Sequence, residues 1–272
     1  MHLKLLTAFF VSFTCCVIAQ VNPGARQAAL SNSDIALSDD VFSLFYNPAG
    51  LSQINWREAG VYYSPSPFGL SELANGFAAY NEPLPFGSAA IGGMTYGFDL
   101  YRENKITAGY SYNYNNKFFI GGAVNYHTVS IKNYGSDAAF YFNIGGLVYI
   151  ADFLRWGFYF HNINRATFSA EENQIPVILG SGLSYDVLEN ISFNISVIKD
   201  LDRKASLNGG IEYNLNEYLS IRSGFSNEPS KFSAGIGIKY SLINFDYAMF
   251  THQDLGLTHQ AGIIIRFDSE KN

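Results

Sequence analysis

Five histidines, His2, His127, His161, His252 and His259, are the residues best suited to acid–base or metal chemistry in this 272-residue chain. Their spacing supports neither. No His-Glu-x-x-His run occurs, no two histidines stand one helical turn apart, and no Gly-x-Ser-x-Gly elbow offers a serine nucleophile. A hydrolase on a barrel wall would pair His259 with a neighbouring serine, but serine is spread over the whole chain, so the pairing is not specific. No glycine-rich phosphate loop follows a strand and opens a helix. The expectation is a chain with no catalytic residues, no resident metal and no cofactor.

What remains is charge set against an apolar background. Lys105, Arg155, Asp186, Lys204, Glu212, Arg222, Lys239, Asp246 and Arg266 fall on the polar phase of alternating segments, and are expected to face a lumen. Arg26, Asp39 and Asp40 fall in the one long stretch that does not alternate. Such groups either solvate a wet interior or clamp one element to another. The expected clamp is Arg222 or Arg266 against Asp39 or Asp40, because a guanidinium meets a carboxylate in two parallel hydrogen bonds.

The elements that position these charges follow from composition and pattern. Charged residues make up 15% of the chain, well below the roughly 25% of ordinary soluble domains, so there is little to dress a water-exposed surface. Residues 1–19 read as a secretory signal peptide, with Lys4 before an apolar run and Val17-Ile18-Ala19 before the cut. Its removal takes both cysteines, Cys15 and Cys16, and shifts the net charge from −6 to −7. Disulfides and thiolate metal sites are then excluded. An acidic chain without a basic cluster is no nucleic-acid binder. No later run reaches the roughly 20 apolar residues of a spanning helix, but a closed barrel crosses a membrane with every backbone group paired.

Fourteen strands are expected, at 55–64, 73–81, 87–99, 105–114, 117–131, 138–151, 155–163, 177–186, 191–199, 204–214, 218–226, 231–241, 244–252 and 258–267. Ile191, Phe193, Ile195 and Val197 alternate with Ser192, Asn194 and Ser196, a period of two with one apolar face. The polar face is mostly Gly, Ser and Asn, and the apolar face carries no mid-strand charge, as a lipid-facing band requires. Connections after even strands are tight, such as Asn115-Asn116, and those after odd strands mostly longer, which would place both termini in the periplasm. Gly-Gly pairs at 92–93, 121–122, 145–146 and 209–210 signal either plain barrel curvature or sites of close contact.

Residues 23–51 stand apart. Ser38 and Asp39 are suited to cap a short helix with Val41, Leu44 and Phe45 on one stripe. Pro48 should end it at Asn47, and Asn47-Pro48-Ala49-Gly50 should turn, with Gly50 at positive φ. The runs Gly24-Ala25-Arg26, then Ser33-Asp34-Ile35-Ala36 before Asp39-Asp40, then Asn47-Pro48-Ala49-Gly50-Leu51 resemble the N-terminal signature of FadL-like outer-membrane transporters. They are also similar to the PorV-type barrels of Bacteroidota. Where those proteins carry Met-Gly, this chain has Leu30-Ser31.

The resemblance implies an all-β, 14-stranded antiparallel transmembrane barrel in the cell outer membrane, with a hatch inside it. The expected division is signal peptide 1–19, hatch 20–54 with the motif residues Arg26, Asp39, Asp40, Asn47, Pro48, Ala49 and Gly50, barrel 55–267 and polar tail 268–272. It implies outer-membrane lipid around the wall and passive passage of a small hydrophobic molecule. The alternative role is a non-transporting partner of other envelope proteins, as in type IX secretion. A barrel-wall hydrolase ranks last.

Overall fold

The computed structural model describes residues 23–168, 175–252 and 255–267. The signal peptide, the tail 268–272 and part of the loop after residue 164 lie outside the described residues. Fourteen antiparallel strands form the wall: β1 (Arg57–Ser64), β2 (Asn75–Leu84), β3 (Gly87–Phe98), β4 (Tyr101–Tyr114), β5 (Phe118–Ile131), β6 (Gly135–Ala151) and β7 (Leu154–His161). The second half is β8 (Ile178–Leu188), β9 (Ile191–Asp200), β10 (Ser206–Asn214), β11 (Leu219–Asn227), β12 (Ser230–Tyr240), β13 (Ile243–His252) and β14 (Gly256–Phe267). Each pairs with its sequence neighbours, and β1 pairs with β14 from Arg57↔Phe267 to Tyr63↔Ala261, closing the barrel. Closure leaves no strand edge unpaired. No helix among the described residues is long and apolar enough to cross a membrane.

The alternation resolves as expected. On β9, Phe193, Ile195 and Val197 point outward at 43–49% exposure, while Ser192, Asn194 and Ser196 are buried in the lumen. Tyrosine and phenylalanine crowd the outer face near the tight turns, at Tyr112, Tyr114, Phe118, Tyr185, Tyr213 and Tyr240. Membrane barrels carry such aromatic girdles at the two interfaces of their apolar band.

Two details of the wall differ from the sequence reading. β4 begins at Tyr101, four residues before the expected start. The polar run Tyr101-Arg102-Glu103-Asn104 looks like loop, yet it pairs with β5 because Glu103 has a lumenal partner in His127 at 2.9 Å. At the loop end, residues 99–100 and 228–229 are as tight as the turns opposite, because Phe98↔Tyr101 and Asn227↔Ser230 pair to the strand tips. The tight turn at Asn115 and Asn116 holds both at positive φ (56° and 53°). That is the twist a two-stranded connection favours, and Asn tolerates it.

The N-terminal segment, residues 23–54, lies inside the closed wall and is almost wholly buried. It contains α1 (Ala25–Ala29), α2 (Ser43–Tyr46) and a 3₁₀ turn (Pro48–Gln53).

Candidate functional site

The site is the seam between this segment and the inner wall. Its first half runs round the wall strand by strand. Ala25 lies by Gly262 of β14, and Ala28 and Ala29 pack on Ala248 of β13. Ala29 also lies against Gly235 of β12, and Leu30 abuts Gly224 of β11 and Gly210 of β10. Ser196 of β9 donates to the Asn32 carbonyl at 3.3 Å, and Ile35 packs on Tyr159 of β7 and Ile178 of β8. Ser31 and Asn32 turn the chain with φ of 53° and 58°, so Ser31 holds a left-handed conformation that favours glycine.

The second half packs on the other side. Val41, Phe42, Leu44, Phe45, Tyr46 and Leu51 join Tyr62, Phe77, Ala79, Ala90, Ala123 and Ile264 in one buried apolar cluster. Phe45 meets Phe77 edge-on at 5.1 Å, a favoured aromatic geometry.

The expected helix is shorter than its apolar stripe suggested. Ser38 and Asp39 do not cap it: α2 starts at Ser43, and it is Asp40 Oδ1 that accepts from the Phe42 amide at 3.0 Å. Tertiary burial, not helical register, brings Val41, Leu44 and Phe45 together. Asn47, at φ −133° and ψ 88°, leaves the helical region as the following Pro48 requires, and its side chain accepts from the Ala49 amide at 3.3 Å while donating to the Ile35 carbonyl at 2.8 Å. The chain then continues as a 3₁₀ turn rather than an open one. Gly50 has no positive φ. It is needed for space instead: a Cβ there would fall 2.1 Å from the Ser38 carbonyl oxygen. Each Gly-Gly pair puts one member against the segment. A Cβ on Gly121 would stand 2.4 Å from the Pro48 backbone, and one on Gly145 would stand 2.1 Å from Asn47 Oδ1.

Charge converges at the tight-turn end. Arg26 spans Glu212 with two hydrogen bonds of 2.8 Å and also donates to Asp39. Glu212 accepts a further 2.5 Å bond from Arg222, its neighbour across β10 and β11, and Arg222 donates to Asp246 at 2.5 Å. The expected clamp therefore has different members. Arg222 is held by carboxylates of the wall, Glu212 on adjacent β10 and Asp246 on β13 beyond β12, and Arg266 lies 3.3 Å from Glu58 and 4.7 Å over Trp56. Arg26, from the segment's own helix, occupies the place expected of them beside Asp39, with Asp40 at 3.8 Å. Glu58, missed in the sequence, is fully buried and accepts from the Val41 amide and Trp56 Nε1, both at 2.8 Å. Its phase with Gly60 and Tyr62 was the available signal.

Of the other expected lumenal charges, Arg155 is buried and paired with Asp186 at 2.8 Å. Lys105 is buried with its ammonium 5.6 Å from the Phe45 ring. Lys239 borders the lumenal cavity described next. Lys204 is a correction: it lies exposed in the β9–β10 loop, because β10 begins only at Ser206. His259 sits on the outer face with its ring 2.5 Å from the Tyr247 hydroxyl; the neighbouring Ser64 hydroxyl donates to the His259 carbonyl at 3.3 Å and not to the ring. No group of three or more His, Cys, Asp or Glu among the described residues is placed to hold a metal.

A cavity of about 440 Å³ opens at this end, bordered by Arg26, Asp39, Trp56, Glu212, Lys239 and Arg266 among others. Within the segment, burial pushes the Asp40 carboxyl up to about 7 against the pull of Arg26, and Asp34 up to about 6. At the loop end, Phe168 and Ile175 from the β7–β8 loop fold onto Val129, Ala139 and Tyr141. Phe68, from the β1–β2 loop, packs on Phe250 and His252.

Fold and seam together define a class: a closed 14-stranded barrel filled by its own N-terminal segment. Solved structures are similar to this chain in the barrel fold. The chain is similar to the CymD monoaromatic hydrocarbon channel (TM-score 0.70, 12% identity, 92% of this chain and 98% of that one). It is also similar to the toluene transporter TodX of P. putida (0.62, 12%, 85% and 95%) and to a FadL homologue of Pseudomonas aeruginosa (0.61, 10%, 90% and 97%). No family model matches the sequence, and no curated protein matches it.

Proposed function

We propose that this protein is an outer-membrane channel of the FadL type that admits small hydrophobic molecules, with residues 20–54 acting as its hatch. The observation that carries the reading is the apolar seam. Val41, Phe42, Leu44 and Phe45 pack on Tyr62 and Phe77 inside a wall whose outer face is itself apolar. Movement of the segment would open an apolar track along β1–β5. Two of the similar structures, a monoaromatic hydrocarbon channel and a toluene transporter, point to the same chemistry. Channels and transporters also fit a non-enzymatic role. In this reading outer-membrane lipid surrounds the wall, and the tight turns face the periplasm.

The test is uptake. Gram-negative cells expressing the protein should accumulate labelled toluene faster than cells without it, and the protein should fractionate with outer membranes and change gel mobility on heating. Recovery as a detergent-free soluble protein, or uptake equal to the control, would overturn the reading. A second role is favoured by the tight loops at residues 99–100 and 228–229, which leave little outer surface for capture. It is that of a non-transporting partner in an envelope complex of the PorV or type IX secretion kind. That role predicts no uptake, and co-purification with other envelope proteins in mild detergent.

A further inference from the structure

The 440 Å³ cavity at the tight-turn end has a size usual for small-molecule sites, and its charge is uneven. Its carboxylates are already engaged by N–H donors. Glu212 holds Arg26 and Arg222, Asp246 holds Arg222, and Asp40 holds Gln27 and the Phe42 amide. Asp39, which also reaches the cavity, accepts from Arg26. The cations on the opposite side keep donors that no hydrogen bond among the described residues occupies, although Arg266 is ion-paired with Glu58. Lys239 takes part in no hydrogen bond or ion pair among the described residues, although it borders the cavity. Arg266 has a buried Nε with no hydrogen-bond partner; Glu58 lies 3.3 Å away but is not aligned to accept. The two strands flank β13, whose Asn244 pairs with Lys239 in register and borders the same space. Trp56 and Ile264 supply apolar surface beside these donors.

Lys239 is exposed and Arg266 about one-third exposed at the cavity's edge, so both reach it with N–H donors that no group among the described residues accepts, and a charged acceptor makes the strongest hydrogen bond available to them. We infer that this cavity is a binding site for a small organic carboxylate, held by Lys239 and Arg266 with its apolar body against Trp56 and Ile264. The site shares Ile264 with the apolar cluster, but its donors Lys239 and Arg266 lie outside that cluster, so carboxylate binding does not depend on hydrocarbon passage.

Benzoate is the probe. Titrated into the purified full-length protein in detergent, it should bind saturably by calorimetry and alter Trp56 emission, read in a Trp156→Phe background because Trp156 lies on the outer face. Lys239→Met should weaken binding about tenfold or more, the size expected for a lost charge-assisted hydrogen bond. Arg266→Met should act in the same direction, and Lys204→Met, in the exposed β9–β10 loop, should change nothing. Heat-dependent gel mobility establishes that each variant is a folded barrel. Unchanged benzoate affinity in folded Lys239→Met would overturn the site. Inorganic phosphate or chloride displacing benzoate as well as acetate does would overturn the carboxylate assignment in favour of a general counter-ion.

Discussion

The two halves of the N-terminal segment are held in different ways. Residues 24–40 contact β7–β14 through small side chains, backbone atoms and the Arg26–Glu212 pair. Residues 41–54 contact β1–β5 mainly through an apolar cluster, with close glycine contacts on β5 and β6 confined to Asn47–Ala49. Apolar burial is strong and tolerant of small displacements, because it scales with area and not with direction. Contacts between backbone and glycine, and a two-point guanidinium–carboxylate bond, tolerate almost none. The apolar cluster of the second half thus supplies most of the cohesion, and the first half, together with the Asn47–Ala49 turn, fixes where the segment sits.

The sharpest way to break this comparison is to empty the cluster. Leu44→Ala with Phe45→Ala removes two buried side chains, each worth about 2–5 kcal/mol when truncated in a core. The expected result is protease access and solute leakage confined to residues 41–54, with the barrel still heat-modifiable and the first half still docked. If both halves are released together, the division is wrong.

Glu212→Gln attacks the first half. It leaves Arg26 and Arg222 without a shared carboxylate, and breaking a buried pair from one side costs about 3–5 kcal/mol. Cleavage should now appear near Arg26 while the apolar cluster stays protected, which limited proteolysis with mass spectrometry would read. Loss of protection in residues 41–54 alone would reverse the assignment of roles.

A third change separates the inner contact from the wall that bears it. Ile195→Arg, on the outer face of β9, should cost about 2–4 kcal/mol in lipid and reduce assembled protein in the membrane fraction. Ser196→Ala, one residue along and facing inward, loses the bond it donates to the Asn32 carbonyl and the one it accepts from Asn208, about 1 kcal/mol each, and should assemble normally. Equal yields from the two variants would mean that β9 does not face lipid.

The smallest effect is in pH. A carboxyl whose pKa is raised by burial destabilises the packed state once ionised. For Asp40, pushed to about 7, and Asp34, to about 6, the penalty is absent below about pH 4 and grows as pH rises to about 7. The segment should therefore be seated more firmly at pH 5 than at pH 8, and Asp40→Asn should shrink that difference. Protease protection across the same range gives the measurement; protection that rises from pH 5 to pH 8 would contradict it.

Much of the wall was legible because a strand's side chains point alternately to two faces, so each segment declares its own orientation. Ile195 and Asn194 could be assigned to opposite faces without knowing any neighbour. β4 shows where this stops: Tyr101 to Asn104 read as loop until Glu103 found His127 on β5. Gly50 shows a second limit. The residue type was informative, but its reason is a carbonyl twelve residues earlier that comes too close for any side chain.

Local pattern was enough to propose fourteen strands, to say which face of each is apolar, and to set residues 23–51 apart from the sheet; closure at fourteen is a property of the folded wall. The local readings depend on neighbours one to four residues away, within the reach of sequence pattern. Only the tertiary structure decided that Arg26 bonds Glu212, that Arg222 answers to Asp246, and that Arg266 and Lys239 face a cavity with donors to spare. Arg26 and Glu212 are 186 positions apart. Two side chains so far separated in sequence meet only when barrel closure and the path of the segment are both set, and no local pattern carries that information.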